Sequence, residues 1–190
     1  MLGSEEMIGP LSEVGVVFQD YSRSLLPWMR TKENVAFPLE GRSVGRAERM
    51  ALAEQCLAAV GLPNVGRKYP WQLSGGMQQR AAIARALAYQ SEILLMDEPF
   101  ASVDAQTRFD LEDLVLDLRR RLGVSIVVVT HDIDEAVYLA DRVVVLAGHP
   151  ATICDVIDVP FGVDRDQIGT KADPRFTDAR KRILGQIRTP

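Results

Sequence analysis

Apolar positions recur along the chain with two different periods, and the change between them divides the sequence. Residues 14–18 form a short β-branched run ending at Gln19, the pattern of a buried strand. From Asp20 to about Gln72 the texture differs. Leu25-Leu26-Pro27-Trp28 reads as a loop with apolar anchors, and residues 33–39 as a short helix stopped by Pro38. Residues 46–60 read as an amphipathic helix with Met50, Leu52, Ala53, Cys56, Leu57 and Val60 on one stripe, and Gly61 stands where a C-cap glycine belongs. Strand signal is scarce here, so the stretch predicts a small helical subdomain inserted after the first strand.

From Leu73 the pattern becomes α/β. Ser74-Gly75-Gly76 opens a helix whose apolar stripe is Met77, Ala81, Ala84 and Leu87/Ala88. Residues 93–96 are a fully apolar strand. Residues 104–122 are a long helix with Leu111, Leu114/Val115, Leu118 and Leu122 on one face, ended by Gly123. A second apolar strand follows at 125–129. Asp132 with Glu135 three residues later is a capping box for a helix through Ala140, and a third strand is expected at 142–146. Crossovers of this length force parallel pairing, and strands apolar throughout need both sheet faces covered. The remainder, from Cys154, is polar, with a terminal helix at 177–187. The fold class is α/β. Four segments follow: 1–19, 20–72 (helical subdomain), 73–150 (α/β core) and 151–190 (C-terminal tail).

Composition narrows the function classes. Apolar residues make up 47% and charged residues 25%, the balance of a water-soluble globular chain. The net charge of −4 argues against a nucleic-acid partner, which favours basic surfaces. No apolar run approaches the length that spans a bilayer, and Met1–Glu6 lacks the basic start of a signal peptide. Cys56 and Cys154 sit among apolar neighbours far apart in sequence, which reads as two buried free thiols in a reducing cytoplasm.

In open parallel sheets, ligands bind beyond the carboxyl ends of the strands. Asp97-Glu98 stands at such an end, and packing explains an acidic pair there poorly. Asp97 can hold Mg²⁺ and Glu98 can accept a proton from an attacking water, although capping would also account for such a pair. His131 follows the next strand, and a right-handed crossover would bring the two strand ends to one edge. Gln19 ends the first strand and could reach a metal or a water; alone it carries no signal. Ser74-Gly75-Gly76 either caps an ordinary helix or presents free N–H groups to an anion.

Together these fragments resemble the nucleotide-binding subunits of ABC transporters. Leu73-Ser74-Gly75-Gly76-Met77-Gln78-Gln79-Arg80 is similar to the family's signature motif, and residues 93–99 with Phe100 to its Walker B strand and catalytic glutamate. Ala101-Ser102-Val103-Asp104 resembles the D-loop, Thr130-His131-Asp132 the switch histidine, and Val17-Phe18-Gln19-Asp20 the Q-loop. The resemblance runs from about Gly9 to the C-terminus. It implies a P-loop-NTPase-like sheet and a set of roles. Asp97 and Gln19 would hold Mg²⁺; Glu98 would be general base, with His131 and Gln19 completing the catalytic set. Ser74, Gly75, Gly76 and Gln78 would contact ATP held by a second ATP-binding subunit, and Asp104 would bridge the two. The implied partners are that second subunit, a transmembrane permease docked beside Gln19, and a solute-binding protein, with the chain peripheral on the inner face of the cell membrane. Leu26-Pro27-Trp28, Tyr69-Pro70, Val144-Val145-Leu146 with Pro150, and Asp173-Pro174-Arg175-Phe176 resemble importers of the nitrate, sulfonate, taurine or bicarbonate type.

One departure matters. The family's phosphate loop, G-x-x-x-x-G-K-[ST], is not found: none of the 14 glycines is followed by lysine. In the family that loop precedes the Q-loop glutamine by tens of residues, and the glutamine here is Gln19. The sheet is therefore expected to be incomplete at its N-terminal edge and the chain alone inactive, as a fragment. Two rivals stay open: a non-catalytic subunit lending Ser74 and Gly76 to a complete partner, and a soluble ABC protein of DNA repair or chromosome structure. No heptad run separates Gln19 from Ser74, as a coiled coil would require in the latter.

Overall fold

The computed structural model describes residues 14–20, 24–148 and 150–188; the expectations for Met1–Glu6 and for the start of the resemblance near Gly9 lie outside them. The chain divides into two compact units, Met1–Val103 with Leu122–Val129, and Asp104–Arg121 with Thr130–Pro190.

The first unit is built on a parallel sheet in the order β1 (Val14–Val17), β2 (Ile93–Asp97), β3 (Ser125–Val129). Val14 pairs with Ile93 and Val17 with Met96, while Ile93 pairs with Ser125 and Asp97 with Val129. Central β2 buries Leu94 and Met96 fully. β3 is covered less than its apolar sequence predicts, with Val127 and Val129 about half exposed at 50% and 49%. Gly15 lets β1 approach the end of a neighbouring helix: a Cβ there would meet the Ala86 carbonyl at 3.3 Å and Ser91 Oγ at 2.6 Å.

Helices α1 (Thr31–Ala36), α2 (Arg46–Ala59) and α3 (Gly75–Ala88) pack against one another, and α3 also lies on β1. The predicted stripe of α2 is largely the buried one, with Ala53, Cys56, Leu57 and Val60 in the core, and Gly61 reverses the chain at φ +77°. The stripe expected for α3 is too narrow. Ala81, Ala82, Ile83, Ala84, Ala86 and Ala88 are all buried, because small side chains let α1, α2 and β1 close in from several sides.

The second unit holds α4 (Ala105–Leu122), α5 (Ile133–Leu139), β4 (Arg142–Ala147), β5 (Thr152–Asp158), α6 (Gly169–Ala172) and α7 (Pro174–Arg188). Here the structure corrects the sequence reading. The strand expected at 142–146 does not extend the parallel sheet; β4 pairs antiparallel with β5, Arg142 opposite Asp158 and Ala147 opposite Thr152. The connection is far too short for a parallel crossover, and Gly148 turns at φ +87°. β5 was not expected, since a register irregularity at Val145/Leu146 and the charged Asp155 blur its alternation. The terminal helix begins at Pro174 rather than 177, with proline at the first helical position. Cys56 is buried as expected, but Cys154 on β5 is exposed. No helix among the described residues is long and apolar enough to cross a membrane.

Candidate functional site

Because Val17 is paired with Met96, β1 and β2 leave the sheet side by side. Gln19 lies two residues past that pair and Asp97 one, both exposed, on strands about 4.8 Å apart. The Glu98 N–H donates to the Val129 carbonyl at 2.8 Å, extending the ladder beyond β2. Glu98 then turns out of the strand at φ +44°, a left-handed conformation that costs a non-glycine residue about 1–2 kcal/mol. Such strain persists only where the surroundings over-determine it. Here the next residues are fixed: Phe100 is fully buried, and the Pro99 carbonyl accepts from Gln79 Nε2 at 2.6 Å.

Gln79 belongs to α3, the helix opened by Ser74. It is fully buried, and its Oε1 has no hydrogen-bond partner among the described residues. One residue earlier, Gln78 is half-buried and folds back to donate to the Leu73 carbonyl at 3.1 Å. Ser74 caps α3, its Oγ accepting the Met77 N–H at a long 3.4 Å. The N–H groups of Gly75 and Gly76, in the first turn, have no intrahelical acceptor. An exposed serine hydroxyl and glycine N–H groups at a positive helix end suit an anion.

The loop after Gln19 has an anchor that the sequence did not announce. Asn34, fully buried on α1, accepts the Leu26 N–H at 2.7 Å and donates to the carbonyls of Leu26 at 3.0 Å and Met29 at 3.1 Å. The half-buried Arg85 guanidinium of α3 donates to the Ser24 carbonyl, and desolvation lowers its pKa. Leu25 is thereby in the core while Trp28 stands 72% exposed.

In the second unit, Asp104 precedes α4, accepting the Thr107 N–H at 3.0 Å and the Thr107 hydroxyl at 2.7 Å. The Thr107 backbone bond first, and its hydroxyl next, hold the Asp104 carboxyl below the usual range. His131 is exposed, at the start of α5 between two tied residues. The capping box expected of Asp132 and Glu135 forms only in part. Asp132 Oδ1 accepts the N–H groups of Asp134 at 2.8 Å and Glu135 at 3.2 Å. The Asp132 N–H goes instead to Thr130 Oγ1 at 3.0 Å, whose hydroxyl donates to Glu135 Oε2 at 2.7 Å. A threonine hydroxyl is inserted into the box.

Among the described residues no three His, Cys, Asp or Glu side chains gather as a metal cage. Asp97 with Gln19 fits a cation that takes its other ligands from water and phosphate, the habit of Mg²⁺.

The family model described as ABC transporter matches residues 4–101, just over half of the chain. An uncharacterised ABC transporter ATP-binding protein of Methanocaldococcus jannaschii is 43% identical over 188 residues, covering 99% of this chain and 68% of that protein. This chain belongs to the ABC transporter family. The taurine import ATP-binding protein TauB of Pseudomonas savastanoi pv. phaseolicola is 44% identical over 94% of this chain and 69% of its own length. Among solved structures, a dimeric ATP-binding cassette in a post-hydrolysis state bound to ADP and phosphate matches at a TM-score of 0.60 and 38% identity. It covers 70% of this chain and 57% of that one. The cbiO1 protein of Clostridium perfringens, part of the cbiONQ complex, matches at a TM-score of 0.65 and 28% identity over 70% of this chain and 53% of its own. The ABC chain thus spans about two thirds of those curated relatives and just over half of those solved chains.

Proposed function

We propose that this chain is the nucleotide-binding subunit of an ABC importer, in which ATP hydrolysis drives solute uptake through a membrane permease. The observation that carries the proposal is the strained Glu98 beside Asp97 and Gln19, tied through Gln79 to the helix that presents Ser74-Gly75-Gly76. Asp97 and Gln19 would hold Mg²⁺, which when bound offsets charge on the phosphates. The Glu98 carboxylate would accept a proton from the water that attacks the γ-phosphorus while the β–γ bridging bond breaks. His131 would contact the γ-phosphate. Ser74, Gly75, Gly76 and Gln78 would serve ATP held by a second subunit, with Asp104 at the contact between the two. The exposed Trp28, presented by the Asn34-anchored loop, would dock the permease at the inner face of the membrane, where a solute-binding protein supplies the other side. Similarity to TauB favours a sulfonate such as taurine as the solute.

Glu98→Gln, made in a complete ATPase carrying a phosphate loop, tests the chemistry. Glutamine keeps the shape and loses the proton acceptor, so turnover falls by about 10²–10⁴-fold while ATP binding persists. Turnover within about twofold of the parent, with Glu98 thereby excluded as base, refutes the assignment.

A further inference from the structure

Arg108 lies one helical turn after Asp104 on α4, and its backbone N–H donates to the Asp104 carbonyl at 2.9 Å. Its guanidinium reaches across to the segment that carries His131. Nη1 is 3.3 Å from Asp132 Oδ2, and Nε is 3.6 Å from Glu135 Oε1. Nε is buried and has no hydrogen-bond partner among the described residues, so at that distance its link to Glu135 is an ion pair rather than a hydrogen bond. Glu135 is 5% exposed, and burial raises its pKa. The groups facing it are Arg108, the Thr130 hydroxyl, and the carboxylates of Asp132 and Glu112. A buried carboxylate is tolerated only when paired, and its partners are Arg108 and the hydroxyl of Thr130, the residue that precedes the histidine.

We propose that Arg108 is a positioning residue that couples the Asp104 loop to His131, acting through Asp132, Glu135 and the inserted Thr130 hydroxyl. This rests on the reading of Asp104 as the subunit contact and His131 as the γ-phosphate contact. Asp104 is fixed to the first turn of α4 by Thr107, Arg108 projects from that same turn, and Asp132 adjoins His131. The link is made of charged, part-buried contacts within one compact unit. A displacement of Asp104 by a second subunit would therefore be passed to the imidazole without crossing a flexible connection.

The test reads the histidine itself. The chain has 2 histidines, so isotope labelling of histidine gives a spectrum that His131→Gln assigns. In the full chain, Arg108→Ala is expected to move the His131 ring signals toward the values of a free, averaging side chain, and Arg108→Lys to restore them partly. A conventional stability role would lower the melting temperature without that selective shift. Thr130→Val removes the relay while keeping the shape, and is expected to move the same signals, so the question is answered even where Arg108→Ala fails to fold. In a complete ATPase, Arg108→Ala lowers kcat by about 10–100-fold with KM for ATP within about threefold, the loss that misplacing a catalytic group by about 1 Å produces. Combined with His131→Ala, it adds nothing further. Unchanged His131 signals in both Arg108→Ala and Thr130→Val overturn the coupling. Normal turnover of His131→Ala alone instead overturns the underlying assignment of the histidine.

Discussion

Replacing Asn34 by alanine isolates the loop that follows Gln19. Asn34 is fully buried, and its amide is the partner of both the N–H and the carbonyl of Leu26, at 2.7 and 3.0 Å. Alanine leaves the Leu26 N–H without that partner in a part-buried setting, at about 1–3 kcal/mol, whereas the Leu26 carbonyl keeps the Met29 N–H at 3.1 Å. The Met29 carbonyl, at 3.1 Å, loses a donor as well. The Arg30 carbonyl loses only a 3.3 Å contact and keeps the Asn34 backbone N–H at 2.9 Å, so it adds little. The sum is about 3 kcal/mol, a large part of the 5–15 kcal/mol that separates a domain from its unfolded chain. For a chain of this length that corresponds to a fall in melting temperature of about 6–12 °C. Urea unfolding followed by circular dichroism measures it. Trp28→Ala is the control, since a side chain 72% exposed contributes little to the core. A loss below about 1 kcal/mol for Asn34→Ala, or equal losses for the two variants, refutes the account of the loop.

Other perturbations have distinct expected outcomes. Trp28→Ala should weaken permease association in a pull-down while the ATPase of a complete subunit stays near the parent's; unaltered association would remove Trp28 as the anchor. Glu112, 1% exposed, pairs with Lys171 at 3.2 Å and with Gln167 at 3.0 Å, so Lys171→Ala strands a buried carboxylate and should cost about 3–5 kcal/mol in urea unfolding, with a loss under 1 kcal/mol contradicting the pair. Burial pushes the Cys56 thiol from 9.0 up to about 11, so between those values the folded chain holds a proton that the unfolded chain gives up, and stability should fall as pH rises from 9 to 11; Cys56→Ala should lack that slope, and an identical slope would count against it. With no glycine–lysine pair in its 190 residues, this polypeptide alone should bind ATP–Mg²⁺ only weakly, and a micromolar constant by calorimetry would reveal a nucleotide site elsewhere.

What could be read from the sequence follows from what kinds of signal a sequence carries. The strands of the parallel sheet were legible as apolar runs, and residues 97, 98, 104 and 131 as polar groups at their ends or at a helix start. The antiparallel pairing of β4 was not, because an apolar strand after a helix looks the same whether it joins the sheet or folds back on a hairpin. Gln78 and Gln79 are adjacent and identical in type, and only the phase of α3 against its neighbours decides which of them is buried against Pro99. Asn34 reads as an ordinary polar residue on a short helix, since nothing local shows that a loop eight residues earlier closes over it. Thr130 entered the capping box unseen because the spacing of Asp132 and Glu135 already satisfied the motif.

The single bond from Gln79 to the Pro99 carbonyl has a consequence for any assembly with two shared sites. The helix start at Ser74 would serve the nucleotide of the neighbouring subunit, whereas Glu98 would serve the subunit's own. Joined through a fully buried amide, those two surfaces would be coupled. A nucleotide-driven shift that one site imposed on α3 would then appear as a shift of Glu98 at the other, and by thermodynamic reciprocity the second site would return it with equal coupling free energy. Two such sites would not bind independently. Gln79→Ala should uncouple them, turning cooperative nucleotide binding in the assembly into two separate binding events.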